Sequence, residues 1–561
     1  MDFKRDYEPK DIGILPYTPL GCEAAYSILF RELNKGKDAK IVTYYDPDID
    51  GMNSGLITDG YLGQLGYKTK YCINDNRAHG FKLPDKVLES LKGGLIIAVD
   101  FSITKPDFDR ILRAGVNLIN IDHHEINISD FKTKSDFVCS KYNDTYGVIL
   151  NNQYPAENER FRFLSGAGMV YYFFKYVSKK VNVEMWSDYA AMVGISLLSD
   201  IRELESKEAY KFLEYTFNLQ SHYLQHLVWL VKGESKIPPV YSSFGQPRIS
   251  REFVDFNFSP MFNSMLRANF GNECVKLLKG DDVITNWVKT NDTMNSCRNA
   301  QKKIIAETLK IIEESKDTIG SYTRDYDYLS VGTLYSDLQI PGYDMTRYNI
   351  TNYVGVACSQ MKKEGKTGVV LVLERGTNRV VRGSVRGGID GVDYLSIFKR
   401  HGIECAGHHN AFGIISCDLS TVNFEDIDRD IADEEAKFKS EKGFTMHVYE
   451  AYSMSVFIQS PLAKAIYKIN EYFRDNHRVF VKYTGPKEAI KVKKVSDKFI
   501  DMQIENVSVV SFNPALSVEN DLLMFYKENK TYGKCVLREG FDYDHSISAT
   551  EILNIYQDIL E

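Results

Sequence analysis

Apolar runs alternate with amphipathic segments between about residues 41 and 122. Four strand-like runs occur in this region, namely "KIVTYY", "KTKYCIN", "LIIAVDF" and "NLINIDHH". They are separated by segments with apolar residues at helical spacing, such as "SGLITDGYLGQLGY" and "DKVLESLKGG". Short apolar strands that alternate with helices are typical of a parallel sheet covered by helices on both faces. The pattern predicts an α/β domain over residues 1–235, which ends where "KGESKIPP" breaks the helical periodicity.

Three further regions follow this domain. Residues 283–318 lack Gly and Pro and predict one long linker helix within a connecting region, residues 236–320. The strand-like runs "YLSVGTL", "GVVLVLER" and "RVVRGSVRG", with a helix at "VDYLSIFKRHG", predict a second α/β domain over residues 321–440. The runs "RVFVKYTG", "AIKVKKVSD" and "FIDMQIENVSVVSF" predict a β-rich, OB-like domain over residues 441–561.

Composition narrows the class of protein. The chain has 561 residues, 43% of them hydrophobic, so it can bury several cores. Its net charge of −7 argues against a uniformly basic nucleic-acid coat but leaves local basic grooves open. Nine cysteines without a CxxC pair favour reduced thiols over a disulfide framework or a zinc ribbon. With no signal-peptide pattern and no apolar run near the ~20 residues of a membrane span, we expect a cytoplasmic protein without membrane partners.

Acidic residues and imidazoles follow three of the predicted strands and one apolar helix. They are Asp46, Asp48 and Asp50 after "KIVTYY", Asp100 after "GLIIAV", Asp122, His123 and His124 after "VNLINI", and Asp200 after "MVGISLLS". In a parallel sheet, ligands collect beyond the carboxyl ends of the strands. Carboxylates ionise near about pH 4, so a group of them without a cation would be strongly repulsive. Oxygen ligands with a histidine suit Mn²⁺ or Mg²⁺, and two such ions are typical of phosphoester hydrolases.

Each piece has a simpler interpretation. The segment "DPDIDG" is compatible with a solvated turn or a fragment similar to a calcium loop. Asp100 and Asp122 could each be a helix N-cap, and a lone His123 is more often structural than ligating. The joint occurrence at successive strand ends favours the metal site.

These residues resemble a known family. "YYDPDIDG", "VDFS", "IDHH" and "LLSD" resemble, in order and spacing, the four motifs of the DHH phosphoesterase superfamily. "NRAHGF", "LSGAGMVYYFF", "SPMFNSMLR" and "NSCR" are similar to segments of its RecJ-like single-stranded-DNA exonucleases. "RGSVR" and "AGHHNAFG" resemble the hallmarks of the DHH-associated domain. The likeness spans about residues 38 to 430, with departures at Ala406 and Phe412, where small residues are usual.

The resemblance implies roles for single residues. The catalytic set it implies is Asp46, Asp48, Asp50, Asp100, His123, His124 and Asp200. Two ions, Mn²⁺ or Mg²⁺, would be held by Asp46, Asp48, Asp100, His123 and Asp200. Asp100 would bridge the ions, Asp50 would support one of them, and His124 would face the phosphate. The substrate-binding set it implies is Arg77, Arg267, Arg382, Ser384, Arg386, Gly407 and His408.

Two basic segments suggest how a nucleic acid is held. Side chains alternate along a strand, so Arg382, Ser384 and Arg386 should share one face and could grip phosphate, although an ordinary edge strand would show the same pattern. The C-terminal region combines aromatic residues with a run of lysines, which suits a groove for single strands or merely a solvated face. The residues are Phe480, Tyr483, Lys482, Lys487, Lys491, Lys493, Lys494 and Lys498.

The expected function is a metal-dependent single-stranded-DNA exonuclease. The resemblance implies digestion from 5′ to 3′ to 5′-mononucleotides in DNA repair or recombination, with a single-stranded-DNA-binding protein or a helicase as candidate partners. One alternative is a phosphodiesterase of cyclic dinucleotides or short oligonucleotides. Those enzymes usually carry a histidine where this chain has Val42. The other alternative, a catalytically inactive DNA-binding scaffold, should have lost metal ligands, whereas all five are present.

Overall fold

A computed structural model describes most of the chain and shows two compact units. The described residues are 14–73, 83–124, 140–154, 157, 159–200, 207–217, 223, 227, 230, 240–241, 247–248, 251–279, 287–316, 322–362, 366–389, 391–442, 447–472, 479–495, 500–511, 523–524, 545–546 and 548–560. The first unit comprises Met1–Arg202, Lys211–Pro238 and Arg248–Ala436. The second comprises Glu203–Tyr210, Pro239–Pro247 and Lys437–Glu561.

The first unit begins with a six-stranded sheet. Its strands are β1 (Ile41–Tyr45), β2 (Lys70–Ile73), β3 (Leu95–Val99), β4 (Asn117–Asp122), β5 (Ser140–Tyr142) and β6 (Thr145–Asn151). They lie in the order β2-β1-β3-β4-β6-β5, and every pair is parallel except β5 with β6. Strands β1 and β3 are buried along their whole length, as expected for a parallel sheet covered on both faces. The α/β fold and the parallel sheet predicted from the sequence are confirmed.

Helices cover both faces of this sheet. They are α1 (Cys22–Leu33), α2 (Ile49–Gln64), α3 (Asp85–Ser90), α4 (Lys105–Arg113), α5 (Gly166–Val181) and α6 (Asp188–Ser199). On one face, Phe108 of α4 and Leu88 of α3 pack in a core with Tyr44 of β1. The neighbouring Tyr45 points to the opposite face, where its ring lies against Gly55 of α2. Successive residues of β1 therefore anchor the two helical layers.

A helical region connects the two sheets of the first unit. Its helices are α8 (Arg251–Phe253), α9 (Ser259–Arg267), α10 (Gly271–Lys279) and α11 (Trp287–Glu314). Helix α7 (Lys207–Phe217) has residues in both units, and the short ladder of β7 (Val240–Tyr241) with β8 (Pro247–Arg248) belongs mainly to the second unit. A π-helical turn, Val254–Phe258, runs between α8 and α9. Helix α11 has 28 residues and confirms the predicted linker helix.

The second sheet of the first unit is also six-stranded. Its strands are β9 (Arg324–Asp325), β10 (Leu329–Tyr335), β11 (Thr367–Leu373), β12 (Arg379–Arg386), β13 (Glu404–His408) and β14 (Ala411–Asp418). The order is β13-β14-β12-β11-β10-β9, and only β10 and β11 are parallel, with α12 (Val354–Met361) between them in sequence. Helices α13 (Tyr394–Arg400) and α14 (Phe424–Lys442) complete this part. Ile304 of α11 shares a core with Val370 of β11, so the long helix docks on the sheet.

The second unit contains two small sheets. Its strands are β15 (His447–Ala451), β16 (Val479–Tyr483), β17 (Ile490–Val495), β18 (Ile500–Ile504), β19 (Val507–Ser511), β20 (Leu523–Met524) and β21 (His545–Ser546). Its helices are α15 (Met454–Phe457), α16 (Pro461–Tyr472) and α17 (Ala549–Leu560). One sheet has the order β20-β16-β15-β21, and the other is the antiparallel ladder β17-β18-β19. A β-rich region is thus confirmed, whereas its OB-like closure stays a prediction.

The predicted aromatic platforms of the second unit are wrong. Phe480 and Tyr483 are both buried, and Tyr483 belongs to the core that joins the two small sheets. Val479, Val481 and Tyr483 of β16 pack in this core and do not face solvent. Lys487, Lys491 and Lys493 are exposed, Lys482 is half-buried, and the side chains of Lys494 and Lys498 lie outside the described part.

Two expectations about the whole chain can be compared with the described part. The seven cysteines there are all free thiols, in line with the absence of a disulfide framework among them. Of the described helices, none has both the length and the apolar character that crossing a bilayer requires.

The packing of α2 on β1 predicts opposite effects for two glycine substitutions in one helix. A Cβ at Gly55 would lie 2.2 Å from Cε1 of the buried Tyr45, whereas a Cβ at Gly63 would meet nothing within 4 Å. Gly55→Ala should lower the free energy of unfolding by ~1–3 kcal/mol through overpacking. Gly63→Ala should raise it by ~0.5–1 kcal/mol, because alanine is the better helix former. Chemical denaturation measures both, and equal effects would contradict this packing.

Candidate metal centre and phosphate pocket

The first acidic motif forms a tight turn between β1 and α2. The backbone leaves β1 at Tyr45, and Asp48 caps α2 by accepting a hydrogen bond from the Gly51 N–H at 2.9 Å. A Cβ at Gly51 would lie 2.5 Å from the Asp46 carbonyl oxygen. The glycine of "DPDIDG" is therefore required for the turn that presents Asp46 and Asp48 beyond the strand.

Asp50 links this turn to the start of α5. Its side chain is only 2% exposed and accepts hydrogen bonds from the N–H groups of Gly166, at 2.7 Å, and Ala167, at 2.9 Å. Burial, together with Asp200 and Asp48, raises the pKa of Asp50 to about 7 against the lowering effect of these hydrogen bonds. Asp50 thus fixes the position of α5 as well as adding charge to the site.

Asp100 has an unusual backbone conformation. It follows β3 with φ of 63°, in the left-handed region, and its N–H donates to the Ile121 carbonyl at 2.8 Å. This conformation turns the carboxylate into the protein, where the side chain is 2% exposed. A Cβ on Gly166 would lie 2.6 Å from Asp100 Oδ1, so α5 can approach only because position 166 is glycine.

His123 lies at the centre of three carboxylates. Its Nε2 is 3.1 Å from Asp100 Oδ1 and 3.6 Å from both Asp50 Oδ2 and Asp200 Oδ2. These contacts join the ends of β3 and β4 to the start of α2 and the end of α6. The structure therefore brings the carboxylates of three motifs together around the imidazole of the remaining one.

His124 has a dedicated partner that the sequence reasoning left out of the site. Its Nδ1 lies 2.7 Å from Oδ1 of Asp122, which is buried. Burial opposes ionisation of both groups, but their mutual attraction lowers the pKa of Asp122 to about 2 and raises the pKa of His124 to about 10. The sequence places Asp122 among the acids at the strand ends but outside the predicted ligand set, and its position beside two histidines is the signal for an orienting carboxylate.

The donor set fits divalent metal ions. Three overlapping groups have ligand atoms within 4.8 Å of one another: Asp46, Asp48 and Asp100; Asp50, His123 and Asp200; and Asp100, Asp122, His123 and His124. Within the described residues, the buried Oδ1 of Asp100 accepts no hydrogen bond. Burial and the neighbouring carboxylates raise the pKa of Asp100 well above its usual range. A cation would relieve both costs, and oxygen-rich ligands with imidazole suit Mn²⁺ or Mg²⁺.

The five predicted metal ligands all fall within these groups, which add Asp50, Asp122 and His124. Asp100 is shared by two of the groups, as a bridging carboxylate would be. The assignment of individual ligands to individual ions stays a prediction.

His408 extends from the second sheet to the metal centre. Its Nε2 is 3.6 Å from Asp200 Oδ1, and its ring stacks on His124 with a centroid distance of 5.5 Å. The preceding Gly407 has φ of 138°, and a Cβ there would lie 2.8 Å from Phe412 Cα. Glycine is thus needed where β13 turns His408 toward the first sheet.

Ser384 and Arg386 lie on the same face of the second sheet as His408. In the ladder, Arg386 pairs with Ala411, which pairs in turn with His408, so the three residues share one level and one face. Arg386 Nη1 donates to Ser384 Oγ and to the Val385 carbonyl, both at 2.8 Å. These hydrogen bonds hold the guanidinium in one position.

Helix α12 lies next to this guanidinium, and the backbone of Arg267 is bonded to the segment just before that helix. A Cβ on Gly355 would lie 2.9 Å from Arg386 Nη2, so the guanidinium lies against the first turn of α12. Asn352, just before that helix, donates to the Arg267 carbonyl at 3.0 Å, and Arg267 Nη1 donates to Gln301 at 2.9 Å. Arginines and a helix N-terminus at one place are chemically suited to bind phosphate. We call Arg267, Ser384, Arg386 and the start of α12 the phosphate pocket.

Of the predicted substrate residues outside this pocket, Gly407 and His408 lie beside the metal centre, whereas Arg382 and Arg77 are placed in neither. Arg382 shares the face of Ser384 and Arg386 but lies four residues from Arg386, or about 13 Å along the strand. Its distance from the level of His408 separates it from the metal centre. Arg77 lies outside the described residues.

Comparisons with known proteins agree with this site. Residues 39–196 match the model of the DHH family, N-terminal domain. This stretch contains the first three motifs and the start of α6, and Asp200 lies just beyond it. This part of the chain is therefore similar to the N-terminal domain of the DHH family.

Two curated relatives are both named as putative single-strand DNA-specific exonucleases. The chain is 24% identical over 274 residues to the "Putative SPbeta prophage-derived single-strand DNA-specific exonuclease YorK" of Bacillus subtilis (strain 168). The corresponding protein of Bacillus phage SPbeta matches equally. The match covers 48% of this chain and 42% of each relative, so the chain spans less than half the length of the curated relatives it matches.

Solved structures show the fold. RecJ from Thermus thermophilus in complex with Mn²⁺ has a TM-score of 0.65 and 16% identity, covering 96% of this chain and 74% of that one. The Mg²⁺ complex of the same protein has a TM-score of 0.54 and 13% identity, covering 93% and 67%. The DHH resemblance recognised in the sequence motifs is confirmed by the family model over residues 39–196, and the fold is similar to that of RecJ. A divalent-metal site agrees with both RecJ structures.

A buried amide fixes the two helices that carry most of the carboxylates. Asn53 of α2 is fully buried and donates to Ser196 Oγ at 3.1 Å and to the Met192 carbonyl at 3.3 Å, both on α6. Tyr223 donates its hydroxyl to Asn53 Oδ1 at 2.5 Å. Because Asp50 lies in the first turn of α2 and Asp200 directly follows α6, this network sets the spacing of their carboxylates.

Removing the Tyr223 hydroxyl should therefore weaken metal binding. Tyr223→Phe leaves Asn53 without its donor, and we expect the affinity for Mn²⁺ to fall by about tenfold, in the range of outer-shell effects on metal sites. Titration calorimetry or Mn²⁺ electron paramagnetic resonance measures this without any substrate.

Tyr61→Phe is the matched control. Tyr61 lies two turns further along α2 and donates its hydroxyl to the Val183 carbonyl at 2.7 Å, away from the carboxylates. Both variants should lose ~1–2 kcal/mol of stability. Equal Mn²⁺ affinity in the two variants would show that the Asn53 network serves stability alone.

Proposed function

We propose that the chain is a metal-dependent exonuclease that hydrolyses phosphodiesters of single-stranded DNA, proceeding from 5′ to 3′ and releasing 5′-mononucleotides. The observation that carries the proposal is that a candidate cation site and an imidazole from the second sheet lie next to each other. Buried carboxylates around His123 form a cation site, and His408, from the second sheet, lies 3.6 Å from Asp200 of that site. The names of the curated relatives support the choice of single-stranded DNA.

Hydrolysis of a phosphodiester requires stabilisation of negative charge on the phosphate. Bound divalent ions would stabilise this charge and favour ionisation of water, and the three carboxylate groups described above would hold them. Asp122 orients His124 through its Nδ1 and raises the pKa of the ring, which favours the charged form beside a phosphate. His408, stacked on His124, presents a second imidazole to the same phosphate.

The phosphate pocket supports action at chain ends. Ser384 holds Arg386 against the start of α12, a position from which the guanidinium can bind a phosphate through two hydrogen bonds. A pocket that takes a terminal 5′ phosphate beside the metal centre admits a strand by its end. This geometry favours stepwise removal of nucleotides over internal cleavage.

The remaining parts of the proposal rest on the resemblance. A role in DNA repair or recombination, a cytoplasmic location, and a single-stranded-DNA-binding protein or a helicase as partner stay predictions. An inactive scaffold is disfavoured by the complete set of metal-binding side chains.

Asp100→Asn should abolish metal-dependent hydrolysis. Asparagine tolerates the left-handed backbone at this position, so this variant removes the charge with little strain. Alanine would remove the charge and strain the backbone at the same time. We expect hydrolysis of end-labelled single strands with Mn²⁺ to fall at least ~100-fold, comparable to the loss of a group that stabilises transition-state charge.

Asp85→Asn is the control for this substitution. Asp85 is an exposed acid at the start of α3, outside the metal-binding groups, and its variant should keep wild-type activity. Equal activity of the wild type and Asp100→Asn would contradict the proposal. Faster turnover of a cyclic dinucleotide than of a single strand would favour the alternative function.

Arg386→Ala should weaken recognition of the 5′ phosphate specifically. A charged hydrogen bond contributes ~1.5–3 kcal/mol, so we expect KM for 5′-phosphorylated strands to rise by about 10- to 100-fold while strands with a 5′ hydroxyl change little. Arg379→Ala, at the exposed start of the same strand, should leave both values unchanged.

Labels at the two strand ends report polarity in the same assay. A wild-type protein that shortens strands from the 3′ end, or that ignores the 5′ phosphate, would contradict the 5′-to-3′ direction. The hydrolysis of phosphodiesters would then stand without this assignment of the pocket.

A further inference from the structure

Two cations meet on one tyrosine ring at the edge of the first sheet. Lys141 of β5 and Tyr146 of β6 are direct cross-strand partners, and Lys141 Nζ lies 5.3 Å from the ring centroid. Arg31, in the last turn of α1, places its Cζ 4.2 Å from the same centroid. We call Arg31, Lys141 and Tyr146 the edge cluster.

The edge cluster has an excess of positive charge. Within the described part of the chain, neither Arg31 nor Lys141 forms an ion pair with a carboxylate. The neighbouring acids of α1 are already engaged, since Glu32 pairs with Lys35 and Glu23 pairs with Lys180. Lys141 and, to a smaller extent, Arg31 also lower the pKa of the Tyr146 hydroxyl. Two like charges held together in this way favour an anion between them.

An exposed aromatic side chain lies on the same helix as Arg31, one residue before it. Phe30 precedes Arg31, is 43% exposed, and stacks on Tyr26 of the same helix with a centroid distance of 5.6 Å. Such a supported ring with a free face is suited to stacking a nucleobase. Cations for the backbone and an aromatic platform for bases are the two elements of sequence-independent single-strand binding.

The cluster lies at the opposite end of β6 from the metal centre. Tyr146 is near the start of β6, whereas Asn151, at its end, pairs with Asp122. Five residues of strand separate the two, which is about 17 Å. A nucleic acid could therefore contact both places only if it is several nucleotides long.

We propose that the edge cluster and Phe30 form a second binding site for single-stranded nucleic acid, with a backbone phosphate between Arg31 and Lys141 and a base on Phe30. The site would retain long strands while the metal centre acts on their end. This inference rests on the proposed function, because the strand it binds is the substrate of that function.

The test compares two charge-matched double variants of the full chain. One is Arg31→Ala with Lys141→Ala; the control is Arg113→Ala with Lys86→Ala, which removes exposed cations from α4 and α3 on the other face of the sheet. Fluorescence anisotropy without divalent metal, which prevents hydrolysis, gives Kd for strands of about 4 and about 30 nucleotides, lengths chosen around the usual range of single-strand sites.

The edge-cluster variant should bind the long strand about tenfold more weakly than the wild type and the short strand equally well. The slope of log Kd against log salt should decrease by about 1 for the long strand only, as expected for one lost phosphate contact. Phe30→Ala should weaken long-strand binding without changing this slope. Phe30→Trp, which keeps an aromatic ring, should bind the long strand like the wild type.

Three outcomes are decisive. If the edge-cluster variant binds the long strand like its control, the inference is wrong. If inorganic phosphate titrates the cluster but long-strand binding is unchanged, the cluster holds small anions and the inference is also wrong. If the wild type binds neither strand and hydrolyses neither, the proposed function itself fails. Should alanine variants unfold in a thermal melt, Arg31→Gln with Lys141→Gln keeps side-chain bulk and replaces them.

Discussion

Repulsion among buried carboxylates is the constraint on which the first unit depends. Asp50 and Asp100 are buried within reach of the same imidazole, in an environment that disfavours their charged forms. The fold holds them there by specific means, including the N–H groups of α5 on Asp50, the left-handed backbone of Asp100 and the bare Cα of Gly166. A structure that concentrates negative charge against this cost is organised around a cation.

The second sheet is arranged to serve the same place. Gly407 allows β13 to direct His408 to Asp200, and the ladder register then sets Arg386 at the level of His408. One register fixes both positions, since a shift by one residue would move every side chain to the opposite face. The metal centre and the phosphate pocket are therefore coupled by backbone pairing as well as by side-chain contacts.

Much of this arrangement could be predicted from the sequence, because apolar strands followed by acids specify both the sheet and the edge where ligands gather. What escaped prediction depends on tertiary contacts. The pairing of Asp122 with His124, the left-handed φ of Asp100 and the role of Asn53 require knowledge of neighbouring strands and helices. The burial of Tyr483 shows the same limit, because the sequence does not tell which elements pack against each face of its strand.

The two ends of the strands in the first sheet have opposite electrostatic character. At the carboxyl end, clustered acids such as Asp100 can meet a phosphate only through an intervening cation, so binding there depends on metal. At the other end, Arg31 and Lys141 meet an anion directly and need no metal. A polyanion that reaches both places would stay bound at Arg31 and Lys141 while the metal centre cleaves its end. Release of the cleaved product would then not release the strand. Separating retention from chemistry in this way would let one sheet support repeated cleavage of a single substrate molecule.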